Sequence, residues 1–175
     1  SDIINITWGH EKSYSPTTAV RLSNAYLRLC LIEQTFTQVA LNNGKPIGII
    51  MGNSFHTPHK SLKYRLQARW ALWMLSLTAE GRRAWHFFEE VDQSYEKLLS
   101  GQSQDYEGEL SFFAIHPLYR GLGIGKELYR RFFNYMNNEN SRQFFVFTDT
   151  TCNFGFYERQ NMLRCGTEEV KLQVN

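Results

Sequence analysis

A short loop with three glycines at alternate positions, 120–125, separates a strand-like run from a helix-like run. The preceding run, 110–115, is almost wholly apolar, and His116-Pro117 ends it because proline cannot donate a hydrogen bond to a sheet. After the loop, apolar residues recur every three or four positions over 128–136, which predicts one face of a helix. Glycines at such a junction let a large anion approach the backbone, and the unpaired first-turn amides of the helix attract it. The segment therefore predicts a site for a phosphate or a pyrophosphate.

Two familiar phosphate-binding loops do not fit this segment. A Walker loop continues from Gly-Lys into Ser or Thr, whereas Gly125-Lys126 is followed by Glu127, which offers no hydroxyl for magnesium. A dinucleotide fingerprint places its third glycine three positions after the second, whereas Gly123 and Gly125 are two positions apart. Arg120 and Lys126 add positive charge at the rim, so the loop still favours an anion.

The composition limits the class of protein. The chain has 175 residues, of which 42% are hydrophobic and 21% charged, and this suits a single domain spanning 1–175. Its 19 basic and 17 acidic residues leave a net charge of +2, with no electrostatic footprint for nucleic acid. No apolar run approaches the ~20 residues needed to span a bilayer, and no signal peptide opens the chain. The three cysteines, Cys30, Cys152 and Cys165, are too widely spaced for a metal cluster. We therefore expect a cytoplasmic protein with reduced thiols, no metal, and neither a nucleic-acid nor a membrane partner.

The rest of the chain alternates strand and helix patterns, which predicts a mixed α/β fold. The cues are a hydroxyl N-cap followed by proline, an Asn-Gly turn between two apolar runs, and helical spacing of apolar residues. The expected elements besides 110–136 are a strand at 3–8, a helix from Ser15-Pro16-Thr17 to about Glu33, a hairpin of 36–41 and 46–51 around Asn42-Asn43-Gly44-Lys45, a helical hairpin over 61–99, a strand at 143–148, a short helix at 153–160, and one or two β segments between Leu163 and Val174.

The helical hairpin over 61–99 is unusually aromatic. One predicted face consists of Leu62, Leu66, Trp70, Trp73 and Leu77, and the second helix adds Ala84, Phe88, Val91, Tyr95 and Leu98. Large apolar faces need a partner, and we expect these to pack mainly into the core. The alternatives are a wall over a substrate cleft, formed by Trp70, Trp73, Trp85 and Phe88, or a dimer contact.

The glycine loop and a second segment resemble the GNAT acetyltransferases. Residues 120–125 match motif A of that family, Gln/Arg-x-x-Gly-x-Gly/Ala, and the lead-in 113–119 is similar to its strand ending in a His-Pro-x-Tyr-Arg turn. Farther on, 148–158 is similar to motif B, with Asn153 followed four residues later by Tyr157. The resemblance is specific over 106–163. Asn161-Met162 stands where the family usually has Gly-Phe, and the C-terminus is short for the family's last strand.

This resemblance implies a GNAT-like fold of the α+β type. Its central sheet would be mixed and mostly antiparallel, flanked by helices, with 61–99 as a helical insert. The implied activity is acetyl transfer from acetyl-CoA to a primary amine of a small molecule or peptide by direct attack in a ternary complex. The alternatives are a CoA-binding sensor or scaffold domain without transfer activity, and an unrelated nucleotide-binding regulator. Dimers are common in the family, so an exposed aromatic face would suit a homodimer.

The resemblance also assigns roles to residues. Acetyl-CoA would be held by the strand edge, the glycine loop and the start of the motif B helix. The residues concerned are Phe113, Ala114, Ile115, Arg120, Gly121, Leu122, Gly123, Ile124, Gly125, Lys126, Asn153 and Phe156.

Acid–base chemistry would involve a few side chains of the same two motifs. Tyr157 is the expected general acid, and Glu109 is the first candidate for the general base, followed by Glu107 and then His116. A covalent route through Cys152 is disfavoured because no activating histidine is indicated near it.

Overall fold

The computed structural model describes residues 13–57, 59–149 and 152–168, so the strand expected at 3–8 lies outside the described residues. The elements in chain order are helix α1 (Pro16–Glu33), strands β1 (Phe36–Asn42) and β2 (Lys45–Ser54), helices α2 (Leu62–Ser76) and α3 (Ala79–Ser100), strand β3 (Gly108–Ile115), a 3-10 turn (Pro117–Tyr119), helix α4 (Ile124–Asn138), strand β4 (Phe144–Phe145) and helix α5 (Phe154–Glu158). The predicted element order is confirmed from α1 to α5.

The four strands form one mixed sheet in the order β1-β2-β3-β4. Strand β2 pairs antiparallel with both β1 and β3, whereas β4 runs parallel to β3. The turn between β1 and β2 places Asn43 at φ 48° and Gly44 at φ 75°, and two consecutive positive φ angles are typical of a tight hairpin turn. This arrangement confirms the expected fold class, a mostly antiparallel sheet flanked by helices.

Strand β4 is much shorter than the predicted 143–148. Only Phe144 and Phe145 pair with β3, opposite Gly108 and Glu109. Two residues later, Phe147 packs on α3 instead of continuing the ladder. The two strands therefore separate beyond Glu109, and this separation leaves an opening between them. The β segments expected after Leu163 are also absent as far as residue 168, the last that the structure describes.

Each face of the sheet packs against a different helix. On one face, Ile50 and Leu110 pack against Leu128, Phe132 and other apolar residues of α4. On the other face, Met51, Phe112 and Ala114 pack against α1. The sheet thus separates α4, which follows the glycine loop, from α1, on which the insert packs.

The insert, α2 and α3, is joined to α1 by both packing and hydrogen bonds. Leu22 of α1 packs with Leu75 and Ala84 of the insert. Ser15 stands at the N-cap of α1, but its side chain does not cap the helix as expected. Its hydroxyl instead donates to the Glu80 carboxylate (2.5 Å). The same carboxylate accepts hydrogen bonds from the Ser15 amide and the Thr18 hydroxyl, so Glu80 ties the insert to the start of α1.

The expectation that the large apolar face of α2 enters the core is wrong. The buried residues of α2 are Ala68, Ala71 and Leu75. The two alanines are small, so they let this helix approach α1 closely. The larger residues point outward. Leu62, Leu66, Trp70, Trp73 and Leu77 are all more than half exposed.

Candidate active site

The glycine loop adopts a conformation that non-glycine residues rarely take. Gly121 and Gly123 both have φ 79°, in the left-handed region, and Gly123 is the N-cap of α4. A methyl group added at either position would meet no atom within 4 Å, so the space above the backbone is open. Gly125 differs, because a methyl group there would lie 3.4 Å from Phe113 Cζ. The loop is therefore open outward and closely packed inward.

After Arg120, whose amide donates to Pro117 O (3.3 Å), the backbone amides of the loop have no acceptor among the described residues. Glu127 is the first residue of this segment whose amide donates to a helical acceptor, Gly123 O at 3.0 Å. Within the described ranges, no acceptor is found for the six amides of 121–126. Lys126 is exposed beside them, and Arg120 Nε donates to Ile115 O (3.2 Å). This row of amides at the positive end of a helix dipole can bind an anion.

Strand β3 contains one more residue than β2 at the level of the opening. Met51 pairs with Phe112 and Asn53 with Glu109, so the two residues at 110–111 oppose a single residue of β2. This β-bulge shifts the alternation of side chains by one position.

The bulge determines which face each side chain of β3 occupies. Glu109 lies on the α1 face with Phe112, near Tyr26 and Cys30. Phe113 and Ile115 lie on the α4 face, against Gly125. Without the bulge, Glu109 and Phe113 would share a face. The candidate base and the residues beneath the glycine loop are thereby placed on opposite sides of the sheet.

The backbone of β3 is partly open toward the separation from β4. The His116 amide donates to Ile47 O on β2, so by alternation the amides of Phe113 and Ile115 point away from β2. Ala114 pairs with Ile49 of β2, and its side chain is buried toward α1. Of the three predicted strand-edge residues, Phe113 and Ile115 have backbone directed to the open side, and Ala114 does not.

Glu109 lies in a site that disfavours its charged form. Burial, together with the nearby carboxylates of Glu33 and Asp92, raises the pKa of its carboxyl group to about 7, against a hydrogen bond from Ser111 that lowers it. Glu33 belongs to α1 and Asp92 to the insert helix α3. A carboxyl group with this pKa can exchange a proton near neutral pH.

The other two candidate bases have structural partners. The Glu107 carboxylate accepts the backbone amides of Arg142 and Gln143 and lies 3.5 Å from His56 Nε2, and these amides lower its pKa. His116 Nδ1 accepts the Leu118 amide (3.3 Å) and so caps the 3-10 turn.

Helix α5 brings two of the predicted residues next to the loop. The Phe156 ring packs on Phe113 (centroids 5.3 Å apart) and on Tyr129 of α4 (5.7 Å), so it fixes α5 against the loop. Burial raises the pKa of Tyr157 above its usual range, and Cys152 and Tyr129 contribute to this. Asn153 is the exposed N-cap of α5, without a side-chain capping bond.

The thiol of Cys152 is not activated. Burial raises the pKa of this thiol, so it stays protonated at neutral pH. This is the opposite of what a nucleophilic cysteine needs.

The insert places two residues near the site that no sequence motif indicates. Asp92 and Tyr95, on one side of α3, both lie near Glu109. The predicted wall residues Trp70 and Trp73 point outward instead, and Phe88 packs on Tyr26 (6.0 Å). The face of α3 containing Tyr95 was visible in the sequence, but nothing there showed which of its residues would lie at the opening.

The fold is a mixed α/β sheet flanked by helices, and the site combines a glycine loop at the start of a helix with a separated strand pair. The chain belongs to the acetyltransferase (GNAT) family, whose model matches residues 2–162. A similar solved structure is that of ribosomal-protein-alanine N-acetyltransferase from Brucella melitensis biovar Abortus 2308. It is 9% identical with a TM-score of 0.39, and the match covers 79% of this chain and 69% of that chain. A search of curated proteins gave no match.

Proposed function

We propose that this protein is an acetyl-CoA-dependent N-acetyltransferase acting on a primary amine of a small molecule or peptide. The observation that carries the proposal is the row of unpaired amides at 121–126 beside the open edge of β3. Membership of the acetyltransferase family supports acetyl transfer as the general activity.

The residues present suit acetyl-CoA. The amides of the glycine loop would hold the pyrophosphate, since the open space at Gly121 and Gly123 admits a bulky anion. The backbones of Phe113 and Ile115 would pair with the amide-rich pantetheine arm as an added strand would. Asn153 would bind the far side of the same arm. Bound acetyl-CoA supplies a thioester carbonyl that an amine can attack directly.

Glu109 is the group that we assign to proton removal. An alkyl amine titrates near pH ~10, so most of it is protonated at neutral pH and cannot attack. With a pKa of about 7, the Glu109 carboxylate is present in part at neutral pH and accepts a proton more readily than an ordinary glutamate.

Tyr157 is the group that we assign to protonation of the departing sulfur. A CoA thiolate has a reference pKa near ~8.5, and giving it a proton favours cleavage of the carbon–sulfur bond. The raised pKa of Tyr157 keeps its hydroxyl protonated across the working pH range. The ammonium proton would pass to Glu109, and the N–H proton lost as the amide forms would pass to solvent. The sulfur would take its proton from Tyr157, which would regain one from solvent.

The first experiment is a thermal-shift titration with acetyl-CoA, CoA, ATP and NAD. A ligand at 100 times its dissociation constant adds about 2.7 kcal/mol of stability. Stabilisation by the two CoA species alone supports the proposal, and thiol release with a panel of amines then tests transfer. CoA binding without thiol release across the panel would indicate a sensor or scaffold. Stabilisation by ATP or NAD alone would indicate a nucleotide-binding regulator.

We also propose that the protein works in the cytoplasm. Cys30, Cys152 and Cys165 are all free thiols, which a reducing compartment maintains. Burial raises the pKa of Cys30 to about 12, so this thiol is inert.

A further inference from the structure

Helix α2 has an outward apolar stripe that the fold leaves uncovered. The stripe runs along the whole helix at intervals of three or four residues and ends at its C-cap residue, Leu77. Its members are Leu62 (72% exposed), Leu66 (67%), Trp70 (57%), Trp73 (58%) and Leu77 (53%). Five large side chains this exposed in one line form a continuous surface, unlike the scattered exposed leucines of an ordinary monomer.

The stripe is not part of the packing that holds α2 in place. The helix contacts α1 through its opposite side, where Ala68, Ala71 and Leu75 are buried. Spacing on a helix of 3.6 residues per turn places the stripe on the far side from these three residues. Helix α2 thus has two apolar faces, of which the fold uses only the one with small side chains.

Positive charge flanks the stripe. Helix α2 carries Lys63, Arg65 and Arg69, all exposed, and no carboxylate. Over 62–83 there are five basic residues and a single acidic one, Glu80, whose carboxylate already accepts hydrogen bonds from Ser15 and Thr18. Since the whole chain has a net charge of only +2, the basic side chains are concentrated around this helix.

Although the sequence alone predicts no membrane partner, we propose that α2 docks on the surface of an anionic membrane. Leucine and tryptophan would enter the interface between head groups and acyl chains, while the lysine and arginine side chains at the flanks reach the head groups. With 15 residues and basic side chains on its flanks, α2 would lie in the plane of the surface. This interaction is separate from acetyl transfer and does not depend on it.

Charge and shape favour a lipid surface over two other occupants. Arg69 flanks the stripe about halfway along α2. In an antiparallel pair of α2 helices it would therefore face the Arg69 of the other copy, and the like charges would repel. An acidic protein helix would be bound best by a groove, whereas the stripe is a ridge on a single helix. A lipid surface takes up a convex ridge and supplies negative charge along both flanks.

The test uses vesicle flotation with the full chain at low ionic strength. Vesicles of phosphatidylcholine alone are compared with vesicles containing about 30% phosphatidylglycerol, which give a strongly negative surface. We expect binding to the anionic vesicles only, with a blue shift of tryptophan emission as Trp70 and Trp73 leave water.

Two comparisons of variants distinguish binding through the stripe from non-specific adsorption to the vesicles. Leu62→Ser with Leu66→Ser should lose binding by at least about tenfold, whereas Leu41→Ser with Leu163→Ser, equally exposed elsewhere, should bind as the wild type does. Lys63→Glu, Arg65→Glu and Arg69→Glu together should abolish binding, while Lys45→Glu, Lys97→Glu and Arg164→Glu should weaken it far less. Unchanged far-UV circular dichroism and melting temperature show that each variant folds.

Three outcomes would overturn the proposal. The first is no binding to anionic vesicles at low salt. The second is equal loss of binding in the stripe variants and their controls. The third is a wild-type protein that is a dimer in sedimentation equilibrium and binds no vesicles. If Leu62→Ser with Leu66→Ser makes that dimer dissociate, the stripe is the contact between two copies of the chain. A monomer that binds no vesicle would leave an acidic protein as the occupant.

Discussion

The ring of Tyr95 lies flat on the ring of Phe147, with centroids 4.0 Å apart and planes 4° from parallel. Tyr95 belongs to the insert helix α3, and Phe147 belongs to the segment that leaves the sheet after β4. The stack therefore joins the insert to the segment beside the opening between β3 and β4. Burial, with the nearby acidic groups of Asp149 and others, raises the pKa of Tyr95 to about 12.

Removing this ring should destabilise the protein. Tyr95→Ala loses a stacked, largely buried aromatic side chain, and we expect a loss of about 3 kcal/mol in the free energy of unfolding. Tyr95→Phe retains the stack and should lose much less. Urea denaturation measures both, with Tyr64→Ala on the more exposed α2 as the control. Equal losses for Tyr95→Ala and Tyr64→Ala would show that the stack is not a structural link.

The rate of acetyl transfer should follow the ionisation of Glu109. With a pKa of about 7, kcat/KM should rise with pH and reach half its maximum near neutrality. Glu109→Gln should lower kcat and remove this limb of the profile. Glu107→Gln is the matched control, since its carboxylate is held by the amides of Arg142 and Gln143. A profile unchanged in Glu109→Gln would place the base elsewhere.

The same carboxyl group should make stability depend on pH. Its pKa is higher in the folded than in the unfolded protein, so the folded state binds more protons between pH ~4.5 and ~7. Its contribution to stability is present at low pH and is lost as the pH rises through about 7. Glu109→Gln should therefore be more stable than the wild type above neutrality, by up to about 3 kcal/mol. Thermal melting of both proteins from pH 5 to 9 checks the sign.

Substitution of Gly123 should weaken CoA binding more than the loss of its backbone conformation alone would explain. Gly44 has nearly the same φ (75° against 79°) and is equally clear of other atoms, so Gly123→Ala and Gly44→Ala should each lose about 1–2 kcal/mol of stability. Only Gly123→Ala should weaken CoA binding, by at least about tenfold, because its methyl group enters the space above the loop amides. Gly123→Glu should abolish binding. Calorimetric titration with CoA measures all three, and unchanged affinities would remove the pyrophosphate assignment.

Tyr157 should affect turnover more than binding. Tyr157→Phe removes the proton donor but keeps the ring, so we expect kcat to fall by about 10²-fold with little change in acetyl-CoA affinity. Tyr129→Phe removes another buried hydroxyl, whose pKa is raised by burial as that of Tyr157 is, and should leave kcat nearly unchanged. A variant Tyr157→Phe with full turnover would assign the proton to another group.

Glu80 should couple the insert to α1 in a pH-dependent way. Hydrogen bonds from Ser15 and Thr18 lower its pKa to about 2. A depressed pKa means that the stabilising contribution is present above the unfolded pKa of ~4.5 and is lost as the pH falls toward 2. Glu80→Gln should flatten this part of the melting-temperature profile, whereas Glu96→Gln on the same helix should not.

Local patterns predicted most of the elements. The Asn-Gly turn, the Ser-Pro helix start and the apolar periodicities have short-range causes. They predict α1, β1 and the outer limits of the insert to within one residue, whereas β2 ends three residues later than predicted. Residues whose position depends on distant contacts were predicted poorly. Phe147 has a strand-like neighbourhood in the sequence, but its stack on Tyr95, 52 positions earlier, draws it out of the ladder.

Side-chain orientation was the other weak point. Helical spacing identified the Leu62–Leu77 face correctly as one surface, yet a large apolar face does not reveal which side of a helix is buried. Ala68 and Ala71 determine that, because close packing on α1 favours small residues. Net charge likewise concealed the basic cluster on α2. At the site, the resemblance to the family suggests Glu109 as a candidate base, which stays a prediction, whereas no sequence pattern indicates that Asp92 of the insert lies near it.

Because of the bulge in β3, the number of residues in this strand determines which face of the sheet the candidate base occupies. Between Gly108 and Ile115 the chain must have an extra residue for the carboxyl group of Glu109 to reach the opposite surface from Phe113. Loss of one codon there would leave every nearby residue type in place and still turn that carboxyl group toward the wrong helix. In this protein, the number of residues in the strand is therefore constrained as tightly as their identity.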